Sequence, residues 1–329
     1  MNEFTKKLSQ FAKKIIEIVS TLMKNKWLKT LLTIFVGSYA IYYLHNQYTN
    51  IQYAILGLKI NASDIIISSL ISFTTFLLSI LSWKYIVHAY GYSTKWIDTA
   101  HTQMMSSIGK YIPGKVWNYS SKVYLSGEMG IPLKAASLAF VTEITISYLL
   151  AFSLSLLFMP PSIFSNTNPA LKIAIHITGG ILLGIIILSP NLLAKFAPTE
   201  RYIQSKKSLS ICILIRLGIW LLSGLAFSSL ASSIGYSGLL LSTCISAVTS
   251  SFFVGFLAFF LPDGIVVRET IIISILKPYL IFTDATILSM LYRFQLVIIE
   301  FITILIIFII WKLNKKRKQA IDQDKNNNH

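Results

Sequence analysis

The sequence predicts an all-α membrane protein. We read it as an inverted repeat of two units, each with three transmembrane helices and a proline-broken re-entrant hairpin. Three observations predict this. Of the 329 residues only 13% are charged and 54% are hydrophobic, whereas soluble domains carry about 25% charged residues; the mean hydropathy is +0.65. Two helix breaks, Pro113-Gly114 and Pro262-Asp263-Gly264, interrupt stretches of helical character. After each break a charge stands inside an apolar segment at nearly the same distance: Glu143, 30 residues after Pro113, and Arg293, 31 residues after Pro262.

Residues 1–26 come first. Phe4, Leu8, Phe11, Ile15, Val19 and Leu22 recur at helical spacing with Lys6, Lys7, Lys13 and Lys14 between them. This is the pattern of an amphipathic helix on an anionic cytoplasmic leaflet, or of a charged lead-in to a first span. The first repeat covers 27–160. It opens with a span at 27–44, a cation-poor outer segment at 45–64 and a second span at 65–87. The stretch 90–134 carries Lys95, Lys110, Lys115 and Lys122 and is assigned to the cytoplasmic side. Within it, 96–112 is too polar for an ordinary span and too apolar for a free loop. A helix that enters, breaks at Pro113-Gly114 and returns fits, because irregular backbone survives at membrane depth only when buried in protein or lining a wet cavity. The third span, 135–158, carries Glu143.

The second repeat, 161–312, begins with spans at 170–188 and 209–232, joined by a basic inner loop with Lys195, Arg201, Lys206 and Lys207. Residues 239–261 are long enough to span. If they do, 265–276 must cross back, and they fall short of the roughly 20 residues a helical span needs. A second hairpin, entered from outside and broken at Pro262 and Gly264, resolves the count. The last span, 285–311, leads to the basic and polar cytoplasmic tail 313–329, of which 322–329 is expected to be disordered. Six spans and two hairpins, or eight spans with full-depth hairpin arms, both put the two termini inside. Inverted repeats of this kind hold transporter binding sites near the midplane.

The charge of +16 would suggest nucleic acid for a soluble chain. Here it belongs to cytoplasmic loops and headgroup contacts, so no nucleic-acid partner is expected. Cys212 and Cys244 lie in apolar runs and read as small core residues. The five histidines have no ligand spacing, so neither metal nor cofactor is expected.

The stretch 109–116 nearly spells a phosphate-binding loop, but Val116 stands where the magnesium-binding hydroxyl belongs, and no strand precedes it. A nucleotide triphosphatase is excluded. Freed backbone N–H groups at a break, beside Lys110 and Lys115, still suit an anion. Lys110, Lys115, Arg268 and Arg293 are the candidate ligands for a lipid phosphate; Arg268 has the alternative role of bracing its hairpin through Glu269. Glu143 and Arg293 each lie roughly 12–14 Å into a span at 1.5 Å per residue, near the middle of a ~30 Å hydrocarbon core. Charges there cost about 2.5–3.5 kcal/mol on insertion scales and need partners or water. Glu143 and Arg293 are expected to pair, as gate or as structural tie. Glu300, seven residues after Arg293 on the same face, is a second candidate partner.

These residues resemble the lysylphosphatidylglycerol synthase transmembrane-region family. The resemblance is carried by Gly109-Lys110-Tyr111-Ile112-Pro113-Gly114-Lys115-Val116-Trp117, by Met129-Gly130-Ile131-Pro132 leading to Glu143, and by Pro262-Asp263-Gly264-Ile265-Val266-Val267-Arg268-Glu269 leading to Arg293. It covers about 25–312. The family pattern usually reads Pro-Gly-Gly where this chain has Pro262-Asp263-Gly264. In the full synthases a soluble aminoacyl-transfer domain follows; here 313–329 follow, so that enzyme activity is expected to be absent. The resemblance implies a flippase of the cytoplasmic membrane that moves an anionic phospholipid or a polyprenyl-phosphate-linked glycan. Two alternatives remain at this stage: a glycosyltransferase using a polyprenyl-phosphate sugar, and a non-catalytic membrane subunit of a surface-polysaccharide biosynthesis complex. The short outer loops disfavour the first. Single cysteines in a background free of Cys212 and Cys244 test the topology: 277–284 is expected to label from outside, and 110–122 and 195–207 from the cytoplasm. Labelling of 277–284 only from the cytoplasm would exclude the inverted arrangement.

Overall fold

A computed structural model describes residues 61–111, 116–164, 168–196, 203–258 and 261–327. The expected interfacial helix, the first span at 27–44, and the break residues Pro113, Gly114 and Lys115 lie outside them. The described residues are helical throughout, with no strand among them. Helix α1 is Ala62–Ala89, α2 Trp96–Ser107, α3 Val116–Glu128, α4 Leu133–Leu157, α5 Pro169–Phe196, α6 Lys206–Ser233, α7 Leu241–Leu257, α8 Val267–Leu276 and α9 Phe282–Asn327. Short 3-10 turns occupy Ile108–Tyr111, Pro161–Phe164 and Pro262–Gly264. Five helices (α1, α4, α5, α6 and α9) are long and apolar enough to cross a membrane, and they fall where hydropathy put spans. They make this a multi-pass membrane protein. At 17 and 10 residues, α7 and α8 are shorter.

The outward faces are those lipid requires. Ile173, Ile177, Ile181 and Ile185 recur every fourth residue along α5 and are all exposed. Ile298, Ile302 and Leu305, spaced by four and three residues, are exposed on α9, as are Ile66 and Leu70 on α1. Inward faces instead carry small and hydroxyl residues. On α1, Ser68, Ser72, Thr75 and Ser82 are buried. Lipid tails are as apolar as the side chains, so helices in a bilayer associate through close packing and interhelical hydrogen bonds of about 0.6 kcal/mol each on average.

The seam between α1 and α6 is the longest of these. Asn61 donates its backbone N–H to Ser233 at 2.8 Å. Ser68 Oγ donates to the Ala226 carbonyl at 2.6 Å. His88 Nδ1 meets Ser208 Oγ at 2.8 Å, and Gln204 N donates to the Ala89 carbonyl at 2.7 Å. As one strand of this list rises from 61 to 89 the other falls from 233 to 204, so the two helices run antiparallel. Asn61 caps α1 by accepting from Ser63 N at 3.1 Å. Ser205 caps α6 by accepting from Ser208 N at 3.2 Å.

The shorter helices pack inside this frame. Stacked rings bind α2 to α9: His101 on Trp311 at 3.9 Å, with Tyr111 beyond the end of α2 on Phe301 at 5.7 Å. Tyr148 on Phe256 and Phe152 on Phe253 bind α4 to α7 at 3.9 and 4.7 Å. The turns at 108–111 and 262–264 meet each other. Cys212 and Cys244 are free thiols in the core, as their apolar surroundings suggest.

One expectation is overturned. The tail 322–329 is expected to be disordered, but among the described residues α9 continues to Asn327. Residues 312–327 contain neither Gly nor Pro, and five Lys, two Gln, one Arg and one Ala among them have good helix propensity, so no helix breaker stops the helix leaving the apolar region.

At the crossing of α6 and α7, a Cβ on Gly224 would stand 2.4 Å from Ile245 Cγ1 and 2.8 Å from its Cα. Gly224→Val is therefore expected to destabilise by about 1–3 kcal/mol, the usual range for overpacking. Gly218→Ala, with nothing within 4 Å of its added carbon, is the control. Thermal unfolding of the purified protein in detergent reads both.

Candidate functional site

Where the two 3-10 turns meet, the bundle encloses a cavity of about 650 Å³, within the usual range for small-molecule sites. Every described helix except α5 contributes to its wall. Five cations (Lys110, Lys122, Arg216, Arg268 and Arg293) and four carboxylates (Glu143, Asp263, Glu269 and Glu300) line it, an excess of one positive charge. Hydroxyls and rings fill the rest, among them Ser147, Tyr148, Trp220, Phe252 and Tyr292. Trp220 and Tyr292 direct their polar atoms to backbone, Nε1 to the Ser147 carbonyl at 2.9 Å and the hydroxyl to the Ser223 carbonyl at 3.2 Å.

Three clusters divide the charges. In the first, Glu143 of α4 is 3% exposed. Its Oε2 accepts from Lys122 Nζ of α3 at 2.5 Å, and its Oε1 accepts from Arg216 Nη2 of α6. Arg216 Nε donates to Ser82 Oγ of α1 at 2.7 Å, and the Lys122 ammonium lies 3.8 Å from the Trp83 ring centroid. Two cations thus share one buried carboxylate. In the second, Glu300 of α9, 2% exposed, accepts from Lys110 Nζ at 2.6 Å and from the Tyr111 hydroxyl at 2.5 Å.

The third cluster is built by the break at 262–264. Arg268 of α8 grips Asp263 with both terminal nitrogens, at 3.1 and 3.3 Å. Arg293 of α9 lies 3.5 Å from the same carboxylate and donates to Glu269 Oε1 at 2.5 Å. The Arg268 guanidinium is stacked 3.9 Å from the Phe252 ring centroid. Backbone geometry makes this possible. Gly264 (φ +67°) brings the turn so close to Gly255 that a Cβ would stand 2.9 Å from the Gly255 Cα, and Gly255 leaves room for the Arg268 stem. Asp263 (φ 48°) and Val266 (φ 71°) also lie at positive φ. Asp tolerates that region, but for a β-branched residue it is strained, at a cost of about 1–3 kcal/mol.

The sequence-derived residues therefore converge, but not as paired. Lys110, Glu143, Arg268, Arg293 and Glu300 all line one cavity. The expected bond between Glu143 and Arg293 is not formed among the described residues. Each is tied instead to the helix that immediately precedes its span, Glu143 to Lys122 of α3 and Arg293 to Glu269 of α8. Short loops join α3 to α4 and α8 to α9, so the nearest counter-charge lies on the helix just before each span. Glu300 is not a partner of Arg293 either. Seven residues on one helix are about 10 Å apart along the axis, and Glu300 takes Lys110 and Tyr111. Arg268 is braced by Asp263 rather than by Glu269. Pro262 and Gly264 form the turn itself.

Sequence reasoning missed Lys122, which reads as a cytoplasmic loop cation yet is 3% exposed, and the roles of Arg216, Asp263 and Tyr111. Arg216 had a usable signal, a charge inside an apolar segment, which marks function by default. Lys122 had none, since α3 is too polar to look buried.

No known family model matches the sequence, and no curated protein matches it.

Removing Glu143 leaves two buried cations without their carboxylate, whereas removing Lys122 leaves a neutral Glu143–Arg216 pair. Breaking a buried pair costs about 3–5 kcal/mol. Glu143→Gln is therefore expected to lower the thermal unfolding temperature clearly more than Lys122→Met, measured side by side in detergent.

Proposed function

We propose that this chain moves an anionic lipid, either a phospholipid or a polyprenyl-phosphate-linked glycan, across the cytoplasmic membrane. The observation that carries the reading is the charged cavity inside an apolar bundle, with its surplus positive charge. Charge at that depth is costly unless a path or ligand needs it, and a phosphate headgroup is the ligand that arginine forks and lysines recognise. The apolar outer faces of α1, α5 and α9 are suited to the acyl or prenyl chains, which stay in lipid while the headgroup passes.

We read the architecture behind it as an inverted repeat with two re-entrant hairpins, α2–α3 and α7–α8, and both termini cytoplasmic. Four observations support this. The second spans of the two halves, α1 and α6, are antiparallel neighbours. The first helix of each hairpin stacks rings with the last span of the other half, α2 with α9 and α7 with α4. The turn at 108–111, just before the first break, touches the turn at 262–264. Finally, Lys122–Glu143 in the first half has a counterpart of reversed sign, Glu269–Arg293, in the second, both at 2.5 Å.

The test is a vesicle assay with the purified protein alone, using fluorescent phosphatidylglycerol, fluorescent polyprenyl diphosphate and fluorescent phosphatidylcholine. At least one of the two anionic lipids is expected to cross faster than in protein-free vesicles, and faster than the zwitterionic one. Arg268→Ala and Lys110→Ala are each expected to slow it by about tenfold, the cost of one charge-assisted contact of roughly 1.4 kcal/mol. Lys207→Ala, which alters an exposed cation, leaves it unchanged. Movement of neither anionic lipid would overturn the proposal.

A further inference from the structure

The third charge cluster has an occupant of its own. Two guanidiniums, from α8 and α9, converge on the Asp263 carboxylate, Arg268 with both terminal nitrogens and Arg293 with Nη2 near Oδ2. Planar forks closing on two oxygens of one anion are the arrangement arginines adopt around phosphate. The group they hold here belongs to the protein.

Two further features mark this cluster as unfinished. Arg268 Nε and Glu269 Oε2 are buried, and neither has a hydrogen-bond partner among the described residues. Buried polar atoms are nearly always satisfied, so an unused donor and an unused acceptor in one ligand-sized cavity point to a missing ligand. The backbone just after Asp263 is also strained: Val266, a β-branched residue, stands at φ 71° and ψ −45°. Such strain persists where a second conformation matters.

We propose that Asp263 occupies the phosphate position of this cavity and that a dianionic headgroup, a diphosphate or a phosphate monoester, displaces it. The inference rests on reading the cavity as a headgroup site and specifies its ligand. Charge decides the class. With Asp263 in place the cavity carries one surplus positive charge. When the turn opens and carries the carboxylate to water, the surplus becomes two. A phosphodiester with one negative charge is matched without any exchange; a diphosphate or monoester is matched only after it. Arg268 and Arg293 then hold the phosphate oxygens, Arg268 Nε gains an acceptor, and Glu269 Oε2 becomes an acceptor for a hydroxyl or a protonated phosphate oxygen beside it. Asp263 thereby keeps the arginines neutralised while the cavity is empty and makes release of the headgroup favourable, since its own carboxylate returns.

The experiment is binding of inorganic pyrophosphate and of short-chain phosphatidylglycerol to the purified full chain in detergent, by isothermal titration calorimetry. Asp263→Asn removes the competing charge and keeps the shape. It is expected to bind pyrophosphate at least tenfold tighter than the unaltered chain, with a change of less than threefold for phosphatidylglycerol. Arg268→Gln is expected to weaken pyrophosphate binding at least tenfold. Asp263→Gly, whose residue suits φ 48° without strain, repeats the charge removal should the asparagine variant fold poorly. Unchanged or weaker pyrophosphate binding in both Asp263 variants would overturn the proposal and leave Asp263 as a brace. Because binding is read without transport, a chain that moves no lipid but shows the tenfold gain refutes the transport reading alone. A chain that moves lipid with no gain refutes the exchange alone.

Discussion

Nine charged side chains face one cavity in a bundle whose outer surface is apolar, and each must find a counter-charge or water there. This constraint organises the protein. In a bilayer the helices gain nothing from hiding apolar area from each other, so packing and polar ties decide which helices meet. Glu143 alone binds α4 to α3 and α6, and through Arg216 and Ser82 to α1. Asp263 and Glu269 bind the 262–264 turn and α8 to α9. The charges that would destabilise any single helix become the fastening of several.

The same network lines the cavity. Guanidiniums, carboxylates and lysine ammoniums are paired with one another along its wall, and the Phe252 and Trp83 rings lie against two of the cations. The polar helices α2 and α3 contribute Gln103, Asn118 and Lys122 to the cavity wall, while Trp96, Trp117 and Tyr124 face outward.

Strain and charge are concentrated in one turn. Gly264 against Gly255 brings two backbones into contact, Val266 is held at positive φ, and Asp263 is set between two arginines. The opposite turn, at Ile108–Tyr111, presents Lys110 and Tyr111 to Glu300 with more ordinary backbone. Among the described residues the two turns thus differ in how far their backbones depart from ordinary geometry.

Much of this was legible in the sequence. The five spans follow from hydropathy and length, which are local quantities, and the 262–264 break follows from the backbone limits of Pro and Gly. Glu143 and Arg293 declared themselves because charge in an apolar segment always demands a partner. The identity of the partners was decided only by tertiary structure. Glu143 and Arg216 are 73 residues apart, and their meeting depends on the crossing of α4 and α6 and on the rotation of each helix about its axis. Hydropathy is nearly uniform around these helices and cannot record that rotation. Lys122 was invisible for the same reason, since a polar helix looks alike whether it faces water or a charged cavity. The sequence by itself determined where helices lie and which charges must be compensated, because both depend on neighbours along the chain. The fold alone decided which charges compensate which, because that depends on neighbours in space.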